Sequence, residues 1–194
     1  QAEPPVERGE EVNGWLYLTW ADAFDIWSND GVIACNAELD INNPSEFLVE
    51  EGSGALVARA GNSMRTNFSV EQGTIHIKYM LAEEAVAEIQ LPNGGSIVLS
   101  NEDEGGYLGS GIWHELVATF SSDPKVIHTV DVNSVRMATD IPVTDRIATP
   151  LPLTIRSLTG NIAFGDVRLK HHAKEVASGN WYPLKYDANS FTAI

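Results

Sequence analysis

The chain has 194 residues, of which 43% are hydrophobic and 20% charged, so it is long enough to bury a core without disulfides. Twelve Lys and Arg against 27 Asp and Glu leave a formal net charge of −15, which repels phosphate backbones and anionic lipid. No run of residues approaches the ~20 apolar positions of a membrane helix. These features argue against nucleic acid as a partner and against insertion into a membrane.

The sequence opens with Gln1 and the polar stretch Ala2-Glu3-Pro4-Pro5. Such a start is typical of a mature end left after removal of a signal peptide, although a truncated chain would begin in the same way. We therefore expect an extracellular or cell-surface protein.

The single cysteine, Cys35, follows an apolar run, which predicts that it is a small, buried hydrophobic residue. A reactive thiol or an intermolecular bridge is the alternative.

Most of the chain alternates apolar and polar residues with a period of two, which is typical of half-buried antiparallel strands. The segment 74–81 places Ile75, Ile77, Tyr79 and Leu81 on one face, and predicts that His76 faces solvent. The segment 126–132 repeats this pattern with His128 among the inward positions, where we expect it to be hydrogen-bonded. Residues 82–87 favour a helix by composition, but they are few and follow a strand directly, which favours a turn.

Clusters of turn residues separate the alternating runs. They occupy residues 51–54, 92–95, 104–106, 122–124 and 159–161. Asn133-Ser134, between two valines, predicts a two-residue hairpin turn, in which Ser is a weaker second residue than Gly. Near the end, Ile162 and Phe164 are out of phase with Val167 and Leu169, and a bulge at Gly165 would return both pairs to the core. About a dozen short strands of this kind predict a sandwich or a barrel.

The two ends of the chain extend beyond the patterned region. We expect an N-terminal arm at residues 1–13, a β-sandwich domain at 14–172 and a C-terminal arm at 173–194. A solvated tail rarely carries many large apolar groups, so the C-terminal arm is expected to pack on its own domain or on a neighbouring copy. Its candidate assembly residues are Trp181, Tyr182, Leu184, Tyr186, Phe191 and Ile194.

From residue 46 onward, the order of motifs resembles that of the 3-keto-disaccharide hydrolase family. The similar segments are 47–52 with 55–58, 68–75, 111–116, 130–135, 152–156 and 160–169. The best match is the last, Gly160-Asn161-Ile162-Ala163-Phe164-Gly165-Asp166-Val167-Arg168-Leu169. The resemblance implies an all-β fold, a two-sheet antiparallel β-sandwich of the concanavalin-like jelly-roll kind.

The chain departs from this family where the resemblance would place acidic site residues. Ser96 stands at the position of the expected glutamate, and Ser100 or Asn101 near that of the aspartate. None of these side chains can act as a carboxylate general base. A hydrolase of this family would therefore need acids from elsewhere, and Glu88, Asp103 and Glu115 are the candidates.

Three further segments carry side chains that suggest binding. Glu102, Asp103 and Glu104 could hold Ca²⁺ on a flexible loop, or form a simple solvated loop. Trp113 could stack on a sugar ring, although a buried Trp at the start of a strand is the commoner case. His171-His172 could bind a metal, but no companion ligand has a recognisable spacing, which favours exposed histidines.

Two classes of function fit these observations. The first is a secreted, non-catalytic structural or adhesive subunit, whose partners are copies of itself joined into filaments through the terminal arms. No cofactor is expected for it, apart from Ca²⁺ if the acidic loop binds the ion. The second is a carbohydrate-active protein, either a hydrolase of 3-keto glycosides or a sugar-binding, lectin-like module.

Overall fold

The computed structural model describes residues 11–19, 26–101 and 108–172. These ranges form fourteen strands and contain no helix, and hence none that could cross a bilayer. The strands are β1 (Glu11–Val12), β2 (Trp15–Tyr17), β3 (Trp27–Asp30), β4 (Ile33–Leu39), β5 (Phe47–Ala58), β6 (Ser63–Ser69), β7 (Gln72–Leu81), β8 (Val86–Gln90), β9 (Ser96–Leu99), β10 (His114–Ser122), β11 (Lys125–Val132), β12 (Val135–Pro142), β13 (Pro152–Thr159) and β14 (Ile162–His171).

The strands build two sheets. Seven strands of the nine-stranded sheet follow the order β1-β2-β14-β7-β10-β11-β12, while β5 pairs with the start of β14 and β4 pairs with β5. The five-stranded sheet has the order β3-β6-β13-β8-β9. Every described pairing is antiparallel. The predicted two-sheet antiparallel sandwich is confirmed.

The core lies between the two sheets and is built by the period-two residues. In β7, Ile75, Ile77, Tyr79 and Leu81 are each at most 4% exposed. Burying a side chain of this size stabilises the fold by roughly 1.5–3 kcal/mol, so a few such positions decide which face of a strand points inward. Cys35 is buried in the same core, as predicted, and burial raises the pKa of its thiol.

The predicted bulge in β14 is confirmed. Gly165 pairs with Lys78 and Arg168 pairs with His76. Between these two pairs β14 advances by three residues and β7 by only two, so β14 contains one extra residue. Asp166 adopts a positive φ of 46° within the bulge. The extra residue brings both apolar pairs to the core, with at most 3% exposure at Ile162, Phe164, Val167 and Leu169.

Two predicted turns are also confirmed. Asn133 and Ser134 have φ of 49° and 65°, and they connect Val132 to its partner Val135 as a two-residue hairpin loop. Residues 82–85 form a turn between β7 and β8 rather than a helix.

The predicted turn at residues 51–54 is wrong, because this segment lies inside β5. The residues on either side of it both pair with β4, Glu50 with Asn36 and Ala55 with Cys35. The residues between them therefore bulge out of a single long strand. The Asn36 side chain stabilises the bulge by accepting a hydrogen bond from the Gly54 N–H at 3.3 Å.

Two predictions about histidines are also wrong: His128 does not face the core, although it is hydrogen-bonded as expected, and His76 is not exposed to solvent. A shift of register in β11 pairs Thr119 with Thr129 but Phe120 with Ile127, so Ile127 occupies the core and His128 is turned outward. The side chain of His128 is 41% exposed and contacts Ser121 Oγ at 2.8 Å. His76 does point away from the core, yet it is only 7% exposed, and its ring contacts the Glu115 side chain on β10 and the Asp166 backbone on β14.

Candidate functional site

The outer face of the nine-stranded sheet, which points away from the core, carries a connected group of polar side chains. Its strands place every second residue there, because the alternate positions are buried against the other sheet. We call this group the outer-face cluster. It consists of Tyr17 on β2, His76 and Lys78 on β7, Glu115 on β10, and Asp166 and Arg168 on β14.

The centre of the cluster is a contact between His76 and Glu115. His76 Nε2 lies 2.5 Å from Glu115 Oε1, and its Nδ1 lies 3.0 Å from the backbone carbonyl of Asp166. Both ring nitrogens thus face oxygen acceptors, which requires either two N–H protons on the ring or a proton on the Glu115 carboxyl. The Glu115 side chain is 48% exposed, so this proton-holding pair is accessible from solvent.

The bulge in β14 orients the second half of the cluster. Asp166 accepts two hydrogen bonds from Arg168, at 2.6 Å from Nε and 2.5 Å from Nη2, and Lys78 Nζ lies 3.9 Å from the same carboxylate. The hydrogen bonds with Asp166 raise the pKa of the Arg168 guanidinium above its ordinary value. The guanidinium also lies over the ring of Tyr17, 4.9 Å from its centroid.

These contacts run without a break across four adjacent strands, from β10 through β7 and β14 to β2. Three strand spacings correspond to about 14 Å. At the β2 end, Trp15 follows the same phase as Tyr17, and Lys170 Nζ lies 6.0 Å from its ring. The face therefore offers hydrogen-bond donors, acceptors and aromatic rings over a distance of about 14 Å.

The candidate acid Glu88 lies on the opposite side of the molecule. Its neighbours Ala87 and Ile89 are buried in the core, so Glu88 points out from the five-stranded sheet. There it forms an ion pair with Arg156 and accepts a hydrogen bond from Ser96 Oγ at 2.8 Å. The whole sandwich separates Glu88 from Glu115, and the two carboxylates do not share a site.

Trp113 lies just before β10 and is 39% exposed, so it is not the buried residue that is commoner at the start of a strand. Leu108 and Ile112 beside it are also exposed. His114 turns the other way, into the core, where its ring stacks on Tyr79 at a centroid distance of 5.0 Å. Trp113 is therefore accessible to a ligand.

The predicted metal sites receive no support from the described ranges, which contain no group of three or more His, Cys, Asp and Glu side chains placed to hold an ion. His171 and His172 are half-buried, and burial lowers the pKa of both. His172 Nε2 lies 3.1 Å from Thr74 Oγ1. Glu102, Asp103 and Glu104, like the six candidate assembly residues of the C-terminal arm, lie outside the described residues, so calcium binding stays a prediction.

Sequence reasoning missed Tyr17, Lys78, Asp166 and Arg168. Two signals pointed toward them: the phase slip at Gly165 marked the bulge that carries Asp166, and Arg168 stands between two inward residues. Their convergence with Glu115 depends on the pairing of β14 and β10 on either side of β7. No local pattern contains that information.

No protein-family profile matches the chain, and a comparison with curated proteins also found no match. Among solved structures, a candidate glycosyl hydrolase from Parabacteroides distasonis has 10% identity and a TM-score of 0.61, covering 86% of this chain and 100% of that one. A second candidate glycosyl hydrolase from the same species has 13% identity and a TM-score of 0.50, covering 82% and 100%. The carbohydrate recognition domain of Emp47p, at 10% identity, has a TM-score of 0.45 and covers 77% and 90%. At these identities the likeness is one of fold: the chain is a concanavalin-like β-sandwich.

Proposed function

We propose that this protein binds carbohydrate on the outer face of its nine-stranded sheet. The unbroken line of contacts from Glu115 to Tyr17 carries the proposal. Sugar hydroxyls both donate and accept hydrogen bonds, and the cluster presents carboxylates, cations and an aromatic ring together. Glu115 and Lys78 are about half exposed and are accessible to a ligand. The two solved structures of similar fold that are candidate glycosyl hydrolases support carbohydrate as the ligand class.

The proposed role is binding rather than hydrolysis. Glycosidases place two carboxyl groups roughly 5–9.5 Å apart. Glu88 and Glu115 lie on opposite outer faces of two sheets that pack about 10 Å apart, which puts their side chains beyond that range. Asp166, on the same face as Glu115, is engaged by Arg168 and Lys78. A binding domain of this kind fits an adhesive role outside the cell.

The test is binding of the full chain to an array of neutral glycans, followed by titration calorimetry on the best ligand. Truncating Glu115 and Tyr17 to Ala should each weaken binding about tenfold, because a charge-assisted hydrogen bond or a stacking ring is worth about 1.4 kcal/mol. Glu88→Ala is the matched control, since it removes a carboxylate from the other sheet. Equal losses in all three variants, or no glycan bound, would contradict the proposal.

Hydrolysis of a 3-keto glycoside is the second candidate, favoured by the His76–Glu115 contact. A carboxyl group and an imidazole 2.5 Å apart at an accessible surface can hold and transfer a proton. Incubation with a 3-keto disaccharide distinguishes the two functions. Hydrolysis requires that the native chain releases monosaccharide, that Glu115→Gln abolishes release, and that Glu88→Gln leaves it unchanged.

A further inference from the structure

The sequence contains two Asn-Gly pairs, at residues 13–14 and 93–94, and both lie in turns. In such a pair the backbone nitrogen of the glycine can attack the side-chain amide of the asparagine, because glycine has no Cβ to hinder the approach. The attack also requires that the amide is free to rotate, and the fold determines this freedom separately at each pair. The two pairs therefore provide a comparison within one chain.

Asn13 and Gly14 form the two-residue loop of the β1–β2 hairpin, between the paired residues Val12 and Trp15. Both have positive φ, 55° at Asn13 and 80° at Gly14, which suits a primed hairpin turn. The Asn13 side chain is exposed and makes no hydrogen bond or ion pair in the part of the chain that the structure describes. Its amide can therefore rotate toward the Gly14 nitrogen.

Asn93 has the opposite surroundings. It is 0% exposed, and its Nδ2 donates to the carbonyls of Ser121 at 2.9 Å and Val126 at 3.0 Å. Its Oδ1 accepts a hydrogen bond from the Gly95 N–H at 3.0 Å. Rotation of this amide toward Gly94 would break all three hydrogen bonds away from water. Reaction at Asn93 therefore requires local opening of the fold.

A cation lies beside the exposed pair. Lys170 Nζ is 3.9 Å from the position that a Cβ on Gly14 would occupy, and its Cε is 3.4 Å from that position. The same ammonium lies 6.0 Å from the centroid of the Trp15 ring, at the start of β2. A cation placed there stabilises the negative charge that develops on the Gly14 nitrogen and on the Asn13 side-chain oxygen during the attack. The surroundings of this turn thus favour the reaction within a chain of net charge −15.

We propose that Asn13 is a site of spontaneous deamidation, promoted by Lys170. The Gly14 nitrogen gives its proton to hydroxide and bonds to Asn13 Cγ, and the Cγ–Nδ2 bond then breaks. Nδ2 takes a proton from water and leaves as ammonia, which closes a succinimide ring. Water then opens the ring, at Cγ to give an aspartyl residue or at the backbone carbonyl to give an isoaspartyl residue. Either product carries one additional carboxylate.

The isoaspartyl product alters the hairpin. The chain then runs through the side chain and gains one backbone carbon, so the loop no longer has the length of a two-residue primed turn between Val12 and Trp15. The new carboxylate also adds a negative charge close to Lys170. The change is confined to the β2 end of the outer face, and the proposal does not depend on carbohydrate binding there.

Peptide mapping by mass spectrometry tests this proposal, after incubation of the folded full chain at mildly alkaline pH. The peptide with Asn13 should gain about 1 Da as its amide becomes a carboxylate. The peptide with Asn93 should react at least about tenfold more slowly, because three hydrogen bonds hold its amide. Asn13→Gln lengthens the side chain by one carbon, which disfavours closure of the ring, and should prevent the mass change.

The contribution of Lys170 is measured in the same way. Lys170→Gln should slow the reaction at Asn13 by up to about fivefold, the effect of one charge at about 4 Å in water. Lys125→Gln is the matched control and should leave this rate unchanged, because Lys125 lies on β11, three strands away from β14.

A parallel incubation in guanidinium chloride shows whether the fold causes the difference between the two pairs. In the unfolded chain both amides are free, so Asn13 and Asn93 should react at similar rates. Three results would contradict the proposal: equal rates at the two pairs in the folded chain, slow reaction of Asn93 in the unfolded chain, or a rate at Asn13 that Lys170→Gln does not change.

Discussion

His114 is the buried titratable side chain from which pH sensitivity of the fold can be argued. It is 1% exposed, and its Nε2 accepts a hydrogen bond from the Leu108 N–H at 2.8 Å. Burial lowers its pKa below 6.5, because the imidazolium form would lose its hydration. Burial acts in the same direction on His171 and His172. Below about pH 6.5 the unfolded chain therefore binds more protons than the folded chain, and stability falls as the pH falls.

We predict that the free energy of unfolding, measured in urea, decreases as the pH is lowered from about 7.5 to 5.5. His114→Gln keeps an acceptor for the Leu108 N–H but does not titrate. The free energy of unfolding of this variant should therefore decrease less over this pH interval than that of the native chain. Above pH 7.5 the two curves should run parallel. Identical curves between pH 7.5 and 5.5 would show that His114 does not contribute.

The histidines also show where sequence reasoning stops at the residue scale. The bulge in β14 was predictable because its apolar residues change phase at Gly165. The irregularity in β11 was not, since Val126 and Ile127 are both apolar and either phase fits the sequence. The burial of His76 depends on Glu115 from another strand. Alternation predicts the side of a sheet on which a residue lies, but not what covers it there.

At the scale of the element, the β11–β12 hairpin offers a stabilising substitution. Both loop residues have positive φ, 49° at Asn133 and 65° at Ser134, where a side chain clashes with the backbone and glycine does not. Ser134→Gly should raise the free energy of unfolding by about 1 kcal/mol and the melting temperature by about 2–4 °C. Ser69→Gly, in a strand with ordinary φ, is the control and should be neutral or destabilising. A loss of stability in Ser134→Gly would contradict this account of the turn.

The long strand β5 shows why turn residues are ambiguous at this scale. Glu51-Gly52-Ser53-Gly54 has the composition of a turn, and the segments before and after it both alternate. What decides its structure is β4, an edge strand that pairs with both segments and keeps them collinear. Composition shows that the backbone can leave the ladder between Glu50 and Ala55. Only the pairing partner shows that the chain does not reverse direction there.

At the scale of the whole molecule, the outer-face cluster is a product of topology. Glu115 lies on β10 and Asp166 on β14, and these strands become second neighbours because both pair with β7. The same topology sends Glu88 to the opposite face of the sandwich. The sequence identified Glu88, Glu115 and Trp113 as candidates by residue type. Their distribution over two faces required the order of the strands, which short motifs do not encode.

The net charge of −15 makes a further prediction about the class of saccharide that binds. A neutral oligosaccharide carries no charge for the protein's field to act on, so its affinity should change less than about twofold between about 10 mM and 100 mM salt. An acidic polysaccharide is repelled at about 10 mM salt, where the Debye length is about 30 Å. At about 100 mM salt the Debye length shortens to about 10 Å, and this repulsion weakens. Its binding should therefore strengthen with salt, the reverse of the dependence shown by basic proteins. Calorimetry at the two salt concentrations measures both effects. If the affinity for an acidic polysaccharide instead weakens with salt, Lys78, Arg168 and Lys170 dominate the local field. Lys78→Gln should then reduce the salt dependence of that affinity.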